Sequence, residues 1–359
     1  MNILLFLLGL GALVVGAGLL VRGASRLALS FGISPLVVGL TIVAFGTSAP
    51  ELAVSVSAVL DGKPDIAIGN VVGSNIFNIL FILGVSALIV PLIVHAQIIR
   101  QEVPIMIGAS LLLLVLVIDG NLSRIDAALL FGLLVGYTIF LIRQSRAETQ
   151  ATRSEYEEGV PSKSTWDAHV GVQLLLVAGG LALLVLGSNW LVTASIVFAK
   201  ALGVSDLVIG LTIVAAGTSM PEVATSVTAA IRGERDIAIG NVVGSNTFNI
   251  FGALGVSGLV ARDGLTVPPA LLNLDVWVMI AVALACLPVF ITGRQIARWE
   301  GAVFLGYYTA YVAYLILSAQ RHAALPAFSN TMMSFVIPIT IITLIVVMMR
   351  SKPAEAQTG

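Results

Sequence analysis

Two glutamates lie in the middle of long apolar stretches of this chain, at matching positions of an internal repeat. Residues 34–86 align without a gap with residues 205–257 at a constant offset of 171, and 37 of the 53 positions are identical. Glu51 in GTSAPE therefore matches Glu222 in GTSMPE. A carboxylate inside hydrocarbon costs several kcal/mol unless its charge is neutralised. Two of them, related by a repeat, predict a cation site between the two halves of a transporter.

The proline before each glutamate predicts a break in the helix. Pro50 and Pro221 have no N–H and clash with the carbonyl four residues earlier, at Gly46 and Gly217. Glycine adds backbone freedom at the same turn. The break should release backbone carbonyls of the GTS stretch, and in hydrocarbon those carbonyls need partners. A bound cation is one such partner.

A capping role is the alternative for both glutamates. Ser48 and Glu51 have the Ser-x-x-Glu spacing of a capping box, and Ser219 and Glu222 repeat it. Each glutamate would then only cap a restarted helix. A buried ionised cap is an expensive choice where glutamine would serve, which favours cation binding.

The second repeated motif offers neutral oxygens; it reads GNVVGSNIFN at 69–78 and GNVVGSNTFN at 240–249. Its polar side chains recur every four residues and so line one helix face; they are Asn70, Ser74 and Asn78 in the first copy and Asn241, Ser245 and Asn249 in the second. The glycines between them favour close helix packing. Packing could also explain the stripe, but its repetition beside a glutamate favours ion ligation.

Carboxylate, amide, hydroxyl and carbonyl oxygens are hard donors, which suit Ca²⁺ and Na⁺. The motifs contain neither Cys nor His, which disfavours soft metals. Two carboxylates balance the charge of one Ca²⁺, and the same oxygens could instead hold several Na⁺ ions. Competition for shared ligands is a physical route to exchange. Asp65 and Asp236 open their segments and are interpreted as helix caps or residues at the mouth of the site.

The composition is that of a membrane protein. Of the 359 residues 58% are hydrophobic and only 10% are charged, against about 25% charged in a soluble domain. Eleven stretches are long enough to cross a bilayer, near residues 3–21, 35–60, 65–90, 103–118, 125–142, 170–192, 206–231, 236–260, 270–291, 299–318 and 332–349. The first is interpreted as a membrane helix rather than a signal peptide, because its basic residues follow the apolar run.

The loops give an orientation and a symmetry. With the N-terminus outside, 13 of the 18 basic residues fall on the inner side and 5 on the outer side, as the positive-inside rule requires. The polar stretch 143–169 reads as a cytoplasmic linker between two groups of five segments. Because five is odd, the second group enters the membrane from the opposite side, which makes the repeats inverted.

The predicted fold is therefore an all-α polytopic membrane protein with a core of ten transmembrane helices in two inverted five-helix repeats. The first repeat covers residues 1–142 and the second 170–320. Residues 321–359 hold an eleventh, C-terminal membrane segment and a tail. The same properties predict lipid as the surroundings, with no sign of a nucleic-acid or protein partner.

The GTSAPE and GNVVGSNIFN strings and the five-plus-five arrangement resemble the alpha repeats of the sodium/calcium exchanger family, within the wider cation/Ca²⁺ antiporter superfamily. The resemblance implies exchange of Na⁺ for Ca²⁺ by alternating access, with no cofactor and no enzymatic activity. It places Glu51, Glu222 and the carbonyls of Thr47 and Thr218 on Ca²⁺. Flanking Na⁺ sites would be lined by Ser48, Ser219, Ser74, Ser245 and the carbonyls of Ala44 and Ala215, with Asn78 and Asn249 at the centre.

Two departures from relatives affect the choice of ion. Some relatives have Asp where this chain has Asn249, which argues against the potassium-dependent branch. The proton-coupled branch usually has an acidic residue at the places where this chain has Gly73 and Gly244. The two glycines therefore favour Na⁺ over H⁺ as the coupling ion.

An H⁺/Ca²⁺ or other divalent exchanger is the close alternative. An intramembrane lipid phosphate hydrolase is the alternative of another class, but no Arg or His accompanies the glutamates to handle phosphate. The sequence thus predicts a Na⁺/Ca²⁺ antiporter of a prokaryotic plasma membrane.

Overall fold

The computed structural model describes residues 2–147, 167, 169–203, 209, 213 and 215–350, and this part of the chain is nearly all helical. The first half comprises α1 (Asn2–Phe31), α2 (Pro35–Thr47), α3 (Ala49–Leu60), α4 (Pro64–Ile89), α5 (Ile98–Leu116) and α6 (Arg124–Ala147). The second half comprises α7 (Val170–Ala201), α8 (Ala215–Gly217), α9 (Met220–Ile231), α10 (Arg235–Val260), α11 (Leu271–Arg294) and α12 (Arg298–Ala319), followed by α13 (Leu325–Val347).

The number of long apolar helices confirms the polytopic helical fold. Within the described residues nine helices are long and apolar enough to cross a membrane, and α2 with α3 form a further span bent by 41°. The seventh predicted segment, 206–231, is described continuously only from residue 215 onward. A helix does follow the tenth segment, but it begins at Leu325 rather than near residue 332, and it is largely exposed.

Several helix ends predicted from the apolar runs are wrong. α1 continues to Phe31 and α7 to Ala201, although the apolar runs stop near residues 21 and 192. α6 also continues to Ala147, so the first residues of the predicted linker 143–169 are helical; most of that linker lies outside the described residues. An apolar run marks the part of a helix inside hydrocarbon, whereas the helix itself extends into the polar layer.

The extended end of α1 is held by one residue of the predicted linker. The Nε of Arg22 donates a 2.8 Å hydrogen bond to the Asp167 carboxylate, and the Nε of Arg26 lies 3.4 Å from the same oxygen. Burial works against the ionised form of Asp167, but the Arg22 hydrogen bond and the Arg26 charge outweigh it and hold the pKa of this carboxyl below its usual value.

The two longest helices, α1 and α7, pack along much of their length through glycines. A Cβ added at Gly16 would lie 2.9 Å from the carbonyl oxygen of Gly180, and one added at Gly180 would lie 2.8 Å from that of Gly16. Only residues without a side chain permit this approach of the two backbones, as is common where helices pack in membranes.

Two short antiparallel ladders show how the halves are related. β1 (Leu92–Ile93) follows α4 and pairs with β4 (Gln295–Ile296), which precedes α12. β2 (Asn121–Leu122) precedes α6 and pairs with β3 (Leu265–Thr266), which follows α10. The repeat matches α4 with α10 and α6 with α12. The loop after α4 therefore pairs with the loop before α12 and not with its own repeat equivalent, the loop after α10. Paired loops lie on one side of the membrane, so the two repeats have opposite orientations.

The symmetry extends beyond the 53 repeated positions. Glu102 ends a π-helical turn at the start of α5 and accepts a 2.7 Å hydrogen bond from the Tyr137 hydroxyl of α6. Asp275 ends the corresponding turn of α11 and accepts a 2.8 Å bond from Tyr311 of α12. These pairs join the outer helices of each repeat.

α4 and α10, which carry the GNVVGSN motifs, occupy the centre of the molecule. In the most apolar 18-residue stretch of α10 every residue is buried, and in that stretch of α4 72% of the residues are buried. Both have the same internal pattern, an α-helix that becomes π-helical, at Asn78–Leu83 in α4 and at Asn249–Leu254 in α10, and then α-helical again. Single π-helical turns inside α-helices are frequent at functional sites.

Candidate ion-binding site

The two helix breaks occur where the prolines predict them. α2 ends at Thr47 and α3 begins at Ala49, with Ser48 between them at φ −83° and ψ 6°. In the second repeat Ser219, at φ −87° and ψ 9°, directly precedes α9. Each glutamate is therefore in the first turn of a restarted helix, and both are completely buried.

The serines at the breaks bind the glutamate of the opposite repeat. The Ser48 hydroxyl donates a 2.8 Å hydrogen bond to Oε1 of Glu222, and the Ser219 hydroxyl donates a 2.7 Å bond to Oε1 of Glu51. Neither serine makes a side-chain hydrogen bond that caps its own helix, so the capping box is not formed. A hydroxyl bonds more strongly to a carboxylate than to a neutral group. This preference explains why each serine hydroxyl points across the repeat interface to the opposite glutamate and not to the backbone of its own helix.

Some carbonyls near the breaks have protein partners. Pro221 cannot donate to the carbonyl of Gly217, and the Ser188 hydroxyl of α7 supplies a 2.6 Å hydrogen bond instead. The carbonyl of Ala44 accepts from the backbone N–H of Ser48 at 3.0 Å and lies 3.3 Å from the Thr47 hydroxyl. The expectation that the breaks leave their carbonyls to a cation therefore needs correction at Gly217, and the Ala44 oxygen also has two hydrogen-bonding neighbours.

The first asparagine of each motif braces the backbone of a glutamate. Nδ2 of Asn70 donates to the backbone oxygen of Glu51 at 3.2 Å and to the Ser55 hydroxyl at 3.1 Å. Nδ2 of Asn241 makes the equivalent bond to the backbone oxygen of Glu222 at 3.4 Å. These two amides, expected to offer oxygens to an ion, use their nitrogens to fix each restarted helix against α4 or α10.

The two halves of the site are closed to different degrees. The Thr47 hydroxyl lies 3.0 Å from Oδ1 of Asn241 and donates to it, whereas Oγ1 of the equivalent Thr218 has no hydrogen-bond partner among the described residues. Asn241 is fully buried, and its equivalent Asn70 is only half-buried.

The second motif packs tightly at its central glycine. Gly244 is buried, and a Cβ added there would lie 2.7 Å from the carbonyl oxygen of Leu40, because α2 packs directly on α10. The equivalent Gly73 of α4 is only partly buried.

The remaining predicted residues converge on the same place. Ser74 and Ser245 are buried on α4 and α10, and the Ser74 hydroxyl lies 3.4 Å from that of Ser219. Asn78 and Asn249 are buried at the first residue of each π-helical turn. Ala215 begins α8, and its side chain lies outside what is described.

Four asparagines form a network at the centre, of which the stripe pattern identified only two. Nδ2 of Asn78 donates to Oδ1 of Asn246 at 3.0 Å, and Nδ2 of Asn249 donates to Oδ1 of Asn75 at 3.0 Å. Asn75 and Asn246 belong to the repeated GNVVGSN string, and that repetition was the signal that could have identified them. They lie about 100° around the helix from the neighbouring serine, which removes them from the four-residue stripe.

Six buried side-chain oxygens of the site accept no hydrogen bond from the described residues. They are Oε2 of Glu51, Oε2 of Glu222, Oδ1 of Asn78, Oδ1 of Asn249, Oγ1 of Thr218 and Oγ of Ser245. Buried acceptors normally have a partner. Their convergence suits a hard cation that takes carboxylate, amide and hydroxyl oxygens.

The charge of the site has no partner among the basic side chains. The ion pairs between described residues join Asp167 to Arg22 and Arg26, and neither Glu51 nor Glu222 takes part in one. No group of three or more His, Cys, Asp and Glu side chains able to hold a metal forms in the described part of the chain. The site is therefore two carboxylates among neutral oxygens, and their charge in a dry interior needs protons or cations.

The chain is similar over most of its length to known proteins. The profile of a family described as "Sodium/calcium exchanger protein" matches residues 1–143 and 172–317. The sodium/calcium exchanger MaX1 of Methanosarcina acetivorans is 37% identical over 346 residues, which cover 88% of this chain and 98% of that protein. The inner membrane protein YrbG of Escherichia coli is 36% identical, over 87% of this chain and 95% of that protein.

A solved structure matches the fold as well. The sodium-calcium exchanger NCX_Mj, in a crystal soaked with zero Na⁺ and Ca²⁺, superimposes with a TM-score of 0.74 at 34% sequence identity. The match covers 88% of this chain and 98% of that one.

Proposed function

The chain belongs to the sodium/calcium exchanger family and is therefore a membrane antiporter of Ca²⁺ and a second cation, and we propose that this second cation is Na⁺. Membership also places it among transporters rather than enzymes. The observation that carries the proposal is the pair of carboxylates bound crosswise by Ser48 and Ser219, beside buried oxygens that accept no other bond.

The proposed Ca²⁺ ligands are the carboxylates of Glu51 and Glu222 with the carbonyls of Thr47 and Thr218. Two carboxylates cancel the charge of one Ca²⁺, and neutral oxygens complete the six to eight that this ion takes. The central amide oxygens belong to Asn78 and Asn249. The proposed flanking Na⁺ sites use oxygens of Ser48, Ser219, Ser74, Ser245, Ala44 and Ala215.

The packing of α10 supports Na⁺ rather than H⁺ as the coupling ion. An acidic side chain at position 244, where proton-coupled relatives are expected to have one, would start with a Cβ 2.7 Å from the Leu40 carbonyl. This packing therefore excludes a third carboxylate at that place. Without one, exchange depends on competition between Ca²⁺ and Na⁺ for the ligands around Glu51 and Glu222.

Unequal closure of the two halves of the site supports alternating access. The Thr47–Asn241 bond closes one half, whereas the equivalent Thr218 hydroxyl has no hydrogen-bond partner among the described residues. We place the N-terminus outside, in the plasma membrane of a prokaryote, which puts the closed half on the cytoplasmic side. In this arrangement residues 1–142 and 170–320 form the inverted units, 143–169 contain the linker, and residues 321–359 add an eleventh span.

Ca²⁺ flux in reconstituted vesicles tests the coupling ion. Vesicles loaded with Na⁺ and diluted into Na⁺-free buffer at equal pH should take up Ca²⁺, and vesicles loaded with K⁺ should not. A protonophore should leave the Na⁺-driven uptake in place. Uptake by K⁺-loaded vesicles only when a pH gradient is imposed would make the chain an H⁺/Ca²⁺ exchanger and refute Na⁺ coupling.

A further inference from the structure

The amide groups at the centre of the site have a definite orientation, which a backbone carbonyl sets in each half. Nδ2 of Asn75 lies 3.2 Å from the backbone oxygen of Asn246 and 3.7 Å from Sδ of Met279. Both of these atoms can only accept a hydrogen bond. The NH₂ group of Asn75 must therefore face them, and its Oδ1 must face the opposite way.

That oxygen in turn fixes the amide of the central residue in the second repeat. Oδ1 of Asn75 can only accept, so Asn249 must present its NH₂ group, and the two atoms are 3.0 Å apart. Oδ1 of Asn249 is then the atom left without a hydrogen-bond partner among the described residues, and it is buried. The direction of this amide is thus set by a chain of two bonds that begins at a backbone carbonyl.

The same chain occurs in mirror order. Nδ2 of Asn246 donates to the backbone oxygen of Asn75 at 3.3 Å and lies 3.6 Å from Sδ of Met106. Its Oδ1 accepts from Nδ2 of Asn78 at 3.0 Å, and Oδ1 of Asn78 is buried with no partner in the described part of the chain. Each central amide is therefore oriented by an asparagine of the opposite repeat.

We propose that Asn75 and Asn246 are positioning residues for ion binding, each of which makes the central asparagine of the opposite repeat present its oxygen rather than its NH₂ group to the transported ion. The inference rests on the proposed function, in which Asn78 and Asn249 provide oxygens at the centre. A rotated amide would direct N–H groups at a cation and repel it. Leucine at position 75 would leave Asn249 free to rotate, and an ionised aspartate would oppose the carbonyl of Asn246.

The crossed arrangement gives a test that a general packing role would not reproduce. We would measure KM and the maximal rate of Ca²⁺/Ca²⁺ exchange in proteoliposomes without a Na⁺ or pH gradient, for single and paired alanine variants. Asn75→Ala should raise the KM for Ca²⁺ about 10- to 100-fold, as loss of an outer partner of a metal ligand does. Added to Asn249→Ala it should have little further effect, whereas added to Asn78→Ala it should multiply the loss.

The mirror variant should give the opposite pairing: Asn246→Ala should be redundant with Asn78→Ala and multiply with Asn249→Ala. Thr247→Val is the matched control, because Thr247 lies beside Asn246 but bonds only to the Val243 carbonyl of its own helix. It should leave KM unchanged. Serine at positions 75 and 246 leaves a smaller cavity than alanine does and is still too short to reach the partners of asparagine. The serine variants therefore replace the alanine variants in the same test if the latter do not fold.

Unchanged KM in the folded single variants, or equal coupling of Asn75→Ala to both central positions, would overturn the positioning role. If the wild-type protein exchanges Ca²⁺ but the paired variants do not show the crossed pattern, this inference is refuted and the proposed function is not. Absence of Ca²⁺/Ca²⁺ exchange by the wild-type protein refutes the proposed function, and the inference with it.

Discussion

Replacing Glu222 by glutamine removes one charge from the site and little else. Glutamine has nearly the same shape, and its Oε1 can still accept the 2.8 Å hydrogen bond from Ser48. The hydrogen bond from Asn241 goes to the backbone oxygen of residue 222, so it does not depend on the side chain there. The variant should therefore fold and insert as the wild-type protein does.

The expected loss follows from the charge balance. With both carboxylates ionised, a bound Ca²⁺ leaves the site neutral; with one carboxylate removed it leaves a charge of +1 with no acidic partner. An unpaired charge at the centre of a membrane costs at least about 2.5–3.5 kcal/mol. At about 1.4 kcal/mol per factor of ten, this corresponds to about a 60- to 300-fold rise in the KM for Ca²⁺.

Initial rates of ⁴⁵Ca²⁺ uptake into Na⁺-loaded proteoliposomes over a range of Ca²⁺ concentrations measure this effect. Glu51→Gln should show a loss within about threefold of that of Glu222→Gln, because the crossed serine bonds of the two glutamates are nearly equal in length, 2.7 and 2.8 Å. Glu102→Gln is the matched control, since Glu102 is a buried membrane carboxylate outside the site, bonded to Tyr137. A KM for either site variant within about threefold of wild type would refute the charge argument.

Three further perturbations test other parts of the structure. Ser219→Ala removes one charge-assisted hydrogen bond and should raise the KM for Ca²⁺ about tenfold or more, whereas Ser257→Ala, at a buried hydroxyl without a partner among the described residues, should not. Gly244→Ala forces α2 away from α10 and should lower stability by about 1–3 kcal/mol in thermal unfolding, whereas Gly108→Ala, at an exposed glycine of α5 with room for a Cβ, should be tolerated; equal melting temperatures would contradict the tight packing of α2 on α10. Asp167→Asn should lower the melting temperature at pH 7, and because the pKa of Asp167 is held low, its stabilisation is lost as pH falls below about 4, where variant and wild type should converge.

The sequence was sufficient to predict the two buried carboxylates and the helix breaks beside them, because both occur twice. Glu51 and Glu222 are charged residues inside apolar runs, and the prolines beside them locate the breaks. The inverted arrangement followed from an odd number of segments in each half. These features are local or repeated, so they can be read without knowing which segments touch.

The contacts across the interface could not be predicted in the same way. Nothing local to Ser48 indicates that its hydroxyl bonds Glu222 rather than capping its own helix, because the two residues are 174 positions apart. Asn75 is in the motif, but its partners lie in the other repeat. Ser188 supports a carbonyl on another helix from a position with no motif at all.

Helix ends were the least predictable local feature. The apolar runs of α1 and α7 stop well before Phe31 and Ala201, because hydropathy records the thickness of hydrocarbon rather than the length of a helix. The acid–tyrosine pairs of Glu102 and Asp275 were also missed, since they lie outside the region of high identity between the repeats.

The two loop ladders limit how this molecule can change access. β1 with β4 fastens the loops at one face of the membrane, and β2 with β3 fastens those at the other. If one whole repeat tilted against the other, the loops at one face would separate and their backbone bonds would break. Within the described residues no strand adjoins α1, α7 or the broken helices α2–α3 and α8–α9, so the ladders fasten the helices beside them and place no direct restraint on these.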